Sequence, residues 1–308
     1  MEIFLKRFTS VFLIILFSST LVCNGQDYVF KALLSKGQVE ISKSGNGAAI
    51  PIKVGQELYD TDQIIMNDQP YLALMHNSGK TLEIKESGKY EVKDLSKEIP
   101  KGGEYVITRF LRFVSVRVNS VNEDVYYNYR ENVTAVGGAE RGADQFINLL
   151  VKDAKDIQKF HGSRITVRWL GSEIFDKYSI KISSAFGDPL TTYETTNEFL
   201  ELNFDDPVFQ NNRFVTLQIA AEQAGVVSPI YQFQKTNNQE QISALEGLLS
   251  NYDGGGLLDA LMRAFIYEDQ GFFIDALSEY ERAILLSDEV DDLTQMRDCF
   301  IISNEMGK

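Results

Sequence analysis

The alternation of apolar and polar residues is the clearest pattern in the first hundred positions. Between residues 30 and 92, short runs such as 36–41 alternate polar and apolar side chains, as a strand with one buried face does. Glycines separate these runs, so we expect the chain to turn at Gly37, Gly55, Gly79 and Gly88. The connection 77–80 is typical of a hairpin, because Asn77 can accept local backbone hydrogen bonds and glycine tolerates positive φ. The pattern predicts a small β unit over residues 27–96.

A second β-rich region spans residues 144–235. Glycine, aspartate and proline turns separate seven candidate strands, at 146–151, 164–169, 178–182, 190–194, 199–202, 214–220 and 230–234. This spacing is what a two-sheet sandwich requires. In the second strand Ile165, Val167 and Trp169 share one face. Trp169, the only tryptophan, is therefore predicted to fill the core.

The region between the two β units, 97–143, is predicted to be a linker with a helix over 104–118, where apolar residues recur at three and four. A long strand is the alternative, because residues 113–119 also alternate. A tyrosine-rich stretch follows, with Tyr126, Tyr127, Tyr129 and Arg130 as candidate protein-binding residues. They could form a stacking surface for a sugar or peptide. We favour an extended segment across a neighbouring domain, since tyrosine is amphipathic.

The last region, 236–308, has helical periodicity. Apolar residues recur at helical spacing over 239–252, three glycines break the pattern, and two helices follow from residue 257. After these two helices, another helix is predicted over 290–306. Small alanines let the two helices that follow residue 257 approach closely, and Tyr267 and Tyr280 fill the space between these two helices. Both tyrosines are candidate protein-binding residues.

Each region resembles a known family. The order Gly-x-Val-x-Ile, Val-Gly-x-x-Leu, Asp-x-Ile, an apolar strand and Ser-Gly-Lys-x-Leu-x-Ile resembles the FecR-like domain, which implies a β-rich extracytoplasmic module. Residues 144–235 resemble an immunoglobulin-like or fibronectin-type-III-like sandwich in architecture, without its paired cysteines. From residue 257 the chain resembles one tetratricopeptide repeat without its closing proline. Such repeats bind peptides, but a single copy is also explained as a structural appendage.

The N-terminus, 1–25, is predicted to be a signal peptide. Lys6 and Arg7 precede an apolar run from 11 to 16, and small or polar residues follow. Cleavage near Gly25 would place the protein in the periplasm or outside the cell. Lipidation at Cys23 is disfavoured, because no small residue stands directly before it. No later stretch is apolar enough to span a membrane, which argues against the membrane-spanning sigma-factor regulators of the FecR-like family.

Net charge limits the classes of partner that the protein can bind, and the cysteine content limits its disulfides. The 308 residues carry a net charge of −14, which becomes −15 when residues 1–25 are removed. An acidic body repels phosphate, so nucleic acid and anionic membrane surfaces are disfavoured. Cys299 would then be the only cysteine, and we interpret it as a small apolar residue on a helix.

Candidate chemistry is sparse. His76 and His161 are the only histidines and lie far apart in sequence, so a zinc site or serine–histidine triad would need two separate loops to converge. Asp60, Asp62 and Asp68 are better explained as turn caps than as a calcium loop. We expect no cofactor and no metal.

The combined prediction is a multidomain, mainly β protein with an α-helical C-terminal part. Its three parts are a small FecR-like β domain, an immunoglobulin-like β-sandwich and a tetratricopeptide-like helical hairpin. The predicted function is that of a non-enzymatic exported envelope protein, an adaptor or sensor for protein partners. A carbohydrate- or peptidoglycan-binding module is the first alternative, and a hydrolase with an unrecognised site is the second.

Overall fold

The computed structural model describes residues 27–45, 47–78, 80–98, 129, 147–171, 175–221, 224–253, 255–287 and 291–307. Over these residues the chain is mainly β with helices at the C-terminal end, as the sequence predicts. None of the helices in the described ranges is long and apolar enough to cross a membrane.

The N-terminal sheet is built on two long antiparallel strands. Its elements are β1 (Phe30–Ser42), β2 (Ala49–Pro51), β3 (Glu57–Leu58), β4 (Gln63–His76), β5 (Thr81–Ile84) and β6 (Gly88–Glu91), followed by the helical turn α1 (Val92–Leu95). β1 pairs with β4 along most of its length, β2 and β3 pair with the other edge of β1, and β5 and β6 pair with β4.

The expected turn at Gly37 is wrong. Gly37 lies inside β1 with φ of +75°, and the pairing register with β4 shifts between Lys36 and Gln38. The glycine serves a β-bulge, since a bulge needs a residue that accepts left-handed backbone. Gly55 does turn the chain, with φ of +80°, while Gly88 begins β6. Gly79 lies outside the described residues.

A two-sheet unit follows. Its strands are β7 (Ile147–Leu149), β8 (Ile157–Phe160), β9 (Arg164–Gly171), β10 (Tyr178–Ser184), β11 (Pro189–Thr195), β12 (Phe199–Asn203), β13 (Phe214–Ala221), β14 (Val226–Val227) and β15 (Tyr231–Lys235). One sheet has the order β11–β10–β13–β15–β8, with β14 paired to β13. The other has the order β12–β9–β7. Inward side chains of both sheets form one core.

All seven predicted strands of this unit are present, and two further strands, β8 and β14, were not predicted. The first two residues of β8 depart from the usual alternation, because Ile157 is exposed and Gln158 is buried. The Gln158 amide donates to the backbone carbonyls of Asp153 and Asp156, so a polar residue occupies the inner face. Trp169 is fully buried and meets Tyr178 of the opposite sheet edge-on, at 5.3 Å between ring centroids. Its predicted core position is confirmed.

Four helices complete the described chain: α2 (Gln239–Leu249), α3 (Leu257–Asp269), α4 (Phe273–Leu286) and α5 (Asp291–Ser303). α2 and α5 each end three residues earlier than predicted. Gly271, with φ of +78°, makes the turn between α3 and α4. Cys299 is buried in α5, as expected of a small apolar residue.

The helices share their core with both β units. Leu33 and Met75 of the N-terminal sheet belong to the same buried cluster as α3, α4 and α5, and so do Leu150 and Leu170 of the two-sheet unit. At the C-terminal end the Gly307 amide donates to the Val151 carbonyl at 2.8 Å. The helical region is therefore the common packing partner of the two β units.

Candidate functional site

A cleft of about 560 Å³ lies between the three-stranded sheet and the helices α3 and α4. One wall is the outer face of β9 and β12, with the loop 162–163. The other wall comes from α3, α4 and the connection before α3. Residues from three distant sequence regions thus line one open space.

The sheet wall follows from strand alternation. Leu200 and Leu202 of β12 turn towards the core, so Phe199 and Glu201 turn outwards. They stand opposite Arg168 and Thr166 of β9 in the pairing register. The Arg168 guanidinium lies 5.8 Å from the Phe199 ring centroid. The outer face of these two strands therefore carries mixed aromatic, polar and charged groups.

The helical wall comes from one stripe of α4. Asp275, Ser278, Arg282 and Leu285 recur at three or four residues and all line the cleft. Ser278 ties this helix to the sheet: its hydroxyl accepts from the Thr166 amide and donates to the Ile274 carbonyl, both at 2.7 Å. α4 thus provides a hydrogen-bond acceptor for the Thr166 amide of β9, which lies beyond the residues that pair with β7.

Asp275 fixes the end of the cleft. Its buried carboxylate accepts the backbone amides of His161 at 2.9 Å and Gly162 at 2.7 Å. A Cβ on Gly162 would lie 3.0 Å from the Asp275 Oδ1 atom, which favours glycine there. Burial raises the pKa of Asp275 to about 7, although the two amides act in the opposite direction. This carboxylate holds the loop after β8 against α4.

Ion pairs stiffen the helical wall. Glu279 accepts from the Nε atoms of Arg263 at 2.7 Å and Arg282 at 2.6 Å, and Arg263 also pairs with Asp253 at 3.2 Å. Glu281 lies between Arg168 at 3.4 Å and Arg297 at 3.3 Å. These charges are neutralised before any ligand arrives, so the wall is preorganised.

His161 lies in the loop after β8, directly before the cleft residue Gly162. The Nδ1 atom of His161 lies 3.2 Å from the Tyr267 hydroxyl. Burial lowers the pKa of His161 and raises that of Tyr267, so both side chains are neutral near pH 7. The Ser278 hydroxyl is engaged by Thr166 and Ile274. These contacts connect the loop after β8 to α3, and β9 to α4.

The predicted site residues fall into three groups. Tyr267 and Tyr280 are buried between the helices, and only Tyr267 borders the cleft. Tyr129 donates its hydroxyl to the Met306 carbonyl at 2.6 Å, at the edge of the shared core. Tyr126, Tyr127 and Arg130 lie outside the described residues, as do the predicted helix over 104–118 and the predicted signal peptide over 1–25.

Of the three aspartates predicted to cap turns, Asp62 accepts backbone amides in the structure. Buried Asp62 accepts from the Tyr59 amide at 2.9 Å and pairs with the Lys43 ammonium at 2.8 Å. His76, in the same unit, contacts the Ser78 hydroxyl at 2.8 Å. Over the described ranges, no group of three histidine, cysteine, aspartate or glutamate side chains is placed to hold a metal ion.

The residues that form the mouth of the cleft were not among the predicted site residues. Phe199 and Leu285 lie 86 positions apart, and both keep exposed side chains at the cleft. Only the pairing of β12 with β9 and the docking of α4 on β9 bring them together. No local motif marks either residue.

Comparison with known proteins leaves this geometry as the basis for assigning a function. No protein-family model and no curated protein matches the chain.

Proposed function

We propose that this chain is a non-enzymatic exported envelope protein that acts as an adaptor or sensor, and that it binds a segment of a partner protein in the cleft between β9–β12 and α3–α4. The observation that supports this most strongly is the pair of apolar side chains left exposed at the cleft mouth. Leu285 is 81% exposed and Phe199 is 40% exposed.

Exposed apolar side chains beside a concave surface are typical of interaction sites. Here they stand next to the ion pairs that Glu279 and Glu281 form with arginines. A protein segment that covers Leu285 and Phe199 would gain the burial of apolar surface without breaking those pairs. That balance favours a binding role.

The proposed parts of the molecule agree with such a role. We interpret residues 27–96 as a FecR-like module, 144–235 as an immunoglobulin-like sandwich and the α3–α4 pair as one tetratricopeptide-like hairpin. By analogy of fold, all three parts favour an interaction role. The partner would contact a surface made jointly by the sandwich and the hairpin.

Site-specific photo-crosslinking in the envelope tests the proposal. A photoreactive residue at Leu285 should trap one partner reproducibly, and purified partner should then bind the mature protein saturably. The matched control is Phe186, which is 94% exposed at the β10–β11 turn, away from the cleft. Equal adducts from both positions, or none from Leu285, would reject the cleft as the binding site.

The two alternatives predict different results. Saturable binding of purified peptidoglycan to the mature protein, with no protein adduct at Leu285, would favour the carbohydrate-binding alternative. Turnover in a panel of ester, peptide and glycoside substrates would favour the hydrolase. Neither is required by the contacts described above.

A further inference from the structure

β12 is an edge strand beside the cleft. Among the described strands it pairs with β9 alone, over five residues in continuous register. The strand contains no proline, and its pairing shows no bulge. Edge strands present unpaired backbone groups and are usually protected against further pairing.

Edge strand β11 of the other sheet is protected in the usual way. It begins at Pro189, and its pairing with β10 shifts register between Ile182 and Ser183. Proline removes an amide donor, and a bulge disrupts the ladder. β12 has neither feature, so it is the more receptive edge.

The backbone groups of Glu201 point away from β9. The backbone carbonyl of Glu198 accepts from the Trp169 amide at 3.0 Å, and the Phe204 amide donates to the backbone carbonyl of Ser163 at 2.7 Å. Antiparallel bonding involves every second residue. Glu201 lies three positions from Glu198 and three from Phe204, so it is not one of the residues that bond to β9. Its N–H and C=O groups therefore point to the free edge of β12.

Two contacts agree with that direction. Glu201 stands opposite Thr166, and the Thr166 amide bonds to Ser278 of α4 rather than to β12. The Glu201 side chain is 60% exposed, and its carboxylate lies 4.0 Å from the Arg164 guanidinium. The residue as a whole is exposed, as a position that receives an incoming strand has to be.

Charge selects the incoming strand. If two copies of this chain paired through β12 about its central residue, Glu201 would face Glu201, and like charges opposite each other are destabilising. A strand of opposite charge is favoured instead, and the net charge of −14 attracts cationic segments. On the inner face Leu200 and Leu202 favour apolar neighbours.

We propose that β12 accepts a β-strand from a partner protein, with a lysine or arginine opposite Glu201 and an apolar residue on each side of it. This mode of binding rests on the proposed adaptor function and specifies the partner segment. Main-chain hydrogen bonds would provide affinity, and the basic residue would provide selectivity.

The test uses an acetylated and amidated peptide, Thr-Val-Thr-Val-Lys-Val-Thr-Val-Thr, with a fluorescent label, and the mature full-length protein. Glu201→Pro removes the outward amide and leaves the bonds to β9 in place, whereas Glu201→Thr removes only the charge. We expect the proline variant to bind about tenfold more weakly than the threonine variant, as the loss of one main-chain hydrogen bond implies. A peptide with glutamate replacing lysine should bind better to Glu201→Lys than to the wild type.

Peptide variants keep the test independent of the folding of Glu201→Pro. N-methylation of the alternate amides that face β12 should abolish binding to the wild type, while methylation of the other amides should not. Equal binding of both methylated peptides, or no binding of the lysine peptide to the wild type, would overturn strand addition. A Leu285 adduct that persists in either case would leave the adaptor function standing, whereas its absence from the wild type would reject that function separately.

Discussion

Asp275 shows how one buried side chain can couple the fold to pH. Its pKa is about 7 in the folded protein, raised by burial from an ordinary value of 3.8. The folded state therefore binds more protons than the unfolded chain between about pH 4 and pH 7, so the free energy of unfolding falls as pH rises through that window. Between pH 5 and pH 8 the loss should be roughly 2–3 kcal/mol. In Asp275→Asn this part of the pH dependence should vanish in urea titrations.

A matched variant separates Asp275 from the general effect of net charge. Asp205 is exposed, and Asp205→Asn changes the formal charge by the same amount. It should keep the wild-type difference between pH 5 and pH 8. If the free energy of unfolding of Asp275→Asn still falls between pH 5 and pH 8 as it does in the wild type, Asp275 is not the group that loses the proton.

Gly37 and Gly247 should respond oppositely to alanine. At Gly37, φ is +75° and a Cβ would lie 2.9 Å from the Asp68 carbonyl oxygen, so Gly37→Ala should destabilise the protein by roughly 1–2 kcal/mol or more. Gly247 lies inside α2 with open space around it, so Gly247→Ala should stabilise the protein by about 0.5–1 kcal/mol. Thermal or urea denaturation measures both. Similar losses in the two variants would contradict the assigned backbone conformations.

At residue scale, the sequence predicts what local periodicity controls. The face shared by Ile165, Val167 and Trp169 was predictable, because alternation within one strand decides it. The partners of Asp275 and Ser278 were not. Asp275 bonds to an amide 113 positions away, and Ser278 to one 112 positions away. Neither contact produces a repeating pattern of residues in the sequence.

At the scale of elements, α3 begins against a strand of the N-terminal sheet. The Glu83 carboxylate of β5 accepts the Leu258 amide at 3.2 Å. Residue 256, just before the helix, is a glycine and has no side chain that could accept the free amides of the first turn. Glu83 therefore serves as a cap supplied by another part of the chain, where its charge also suits the helix N-terminus.

Replacing Glu83 by alanine should weaken the start of α3. We expect a loss of about 1 kcal/mol, typical of a removed N-terminal cap, and faster hydrogen exchange in the first turn of the helix. Glu86→Ala, at an exposed position after β5, is the control and should change neither quantity. If the amides of α3 exchange equally fast in both variants, Glu83 is not the cap.

At the scale of the whole molecule, the sequence did not indicate how far the parts depend on each other. Its regions suggest separate domains, because linkers and periodicity are local features. The shared core instead mixes Leu33 of β1, Leu170 of β9 and Leu261 of α3. One helical hairpin cannot bury both its faces alone, and here side chains of the two β units pack against it.

Removal of residues 238–308 should therefore disrupt both β units, not only the cleft. The fragment 27–237 would expose buried residues such as Leu34, Met75 and Leu150, so it should bind a hydrophobic dye and lose cooperative unfolding. The control is a protease site inserted after Asn237, an exposed position before α2. Cleaved protein that keeps all residues should stay associated in size-exclusion chromatography and unfold in one transition, because apolar contacts hold the pieces together. A soluble fragment 27–237 with a sharp unfolding transition and no dye binding would show that the helices are an appendage, and the composite cleft would then lose its structural basis.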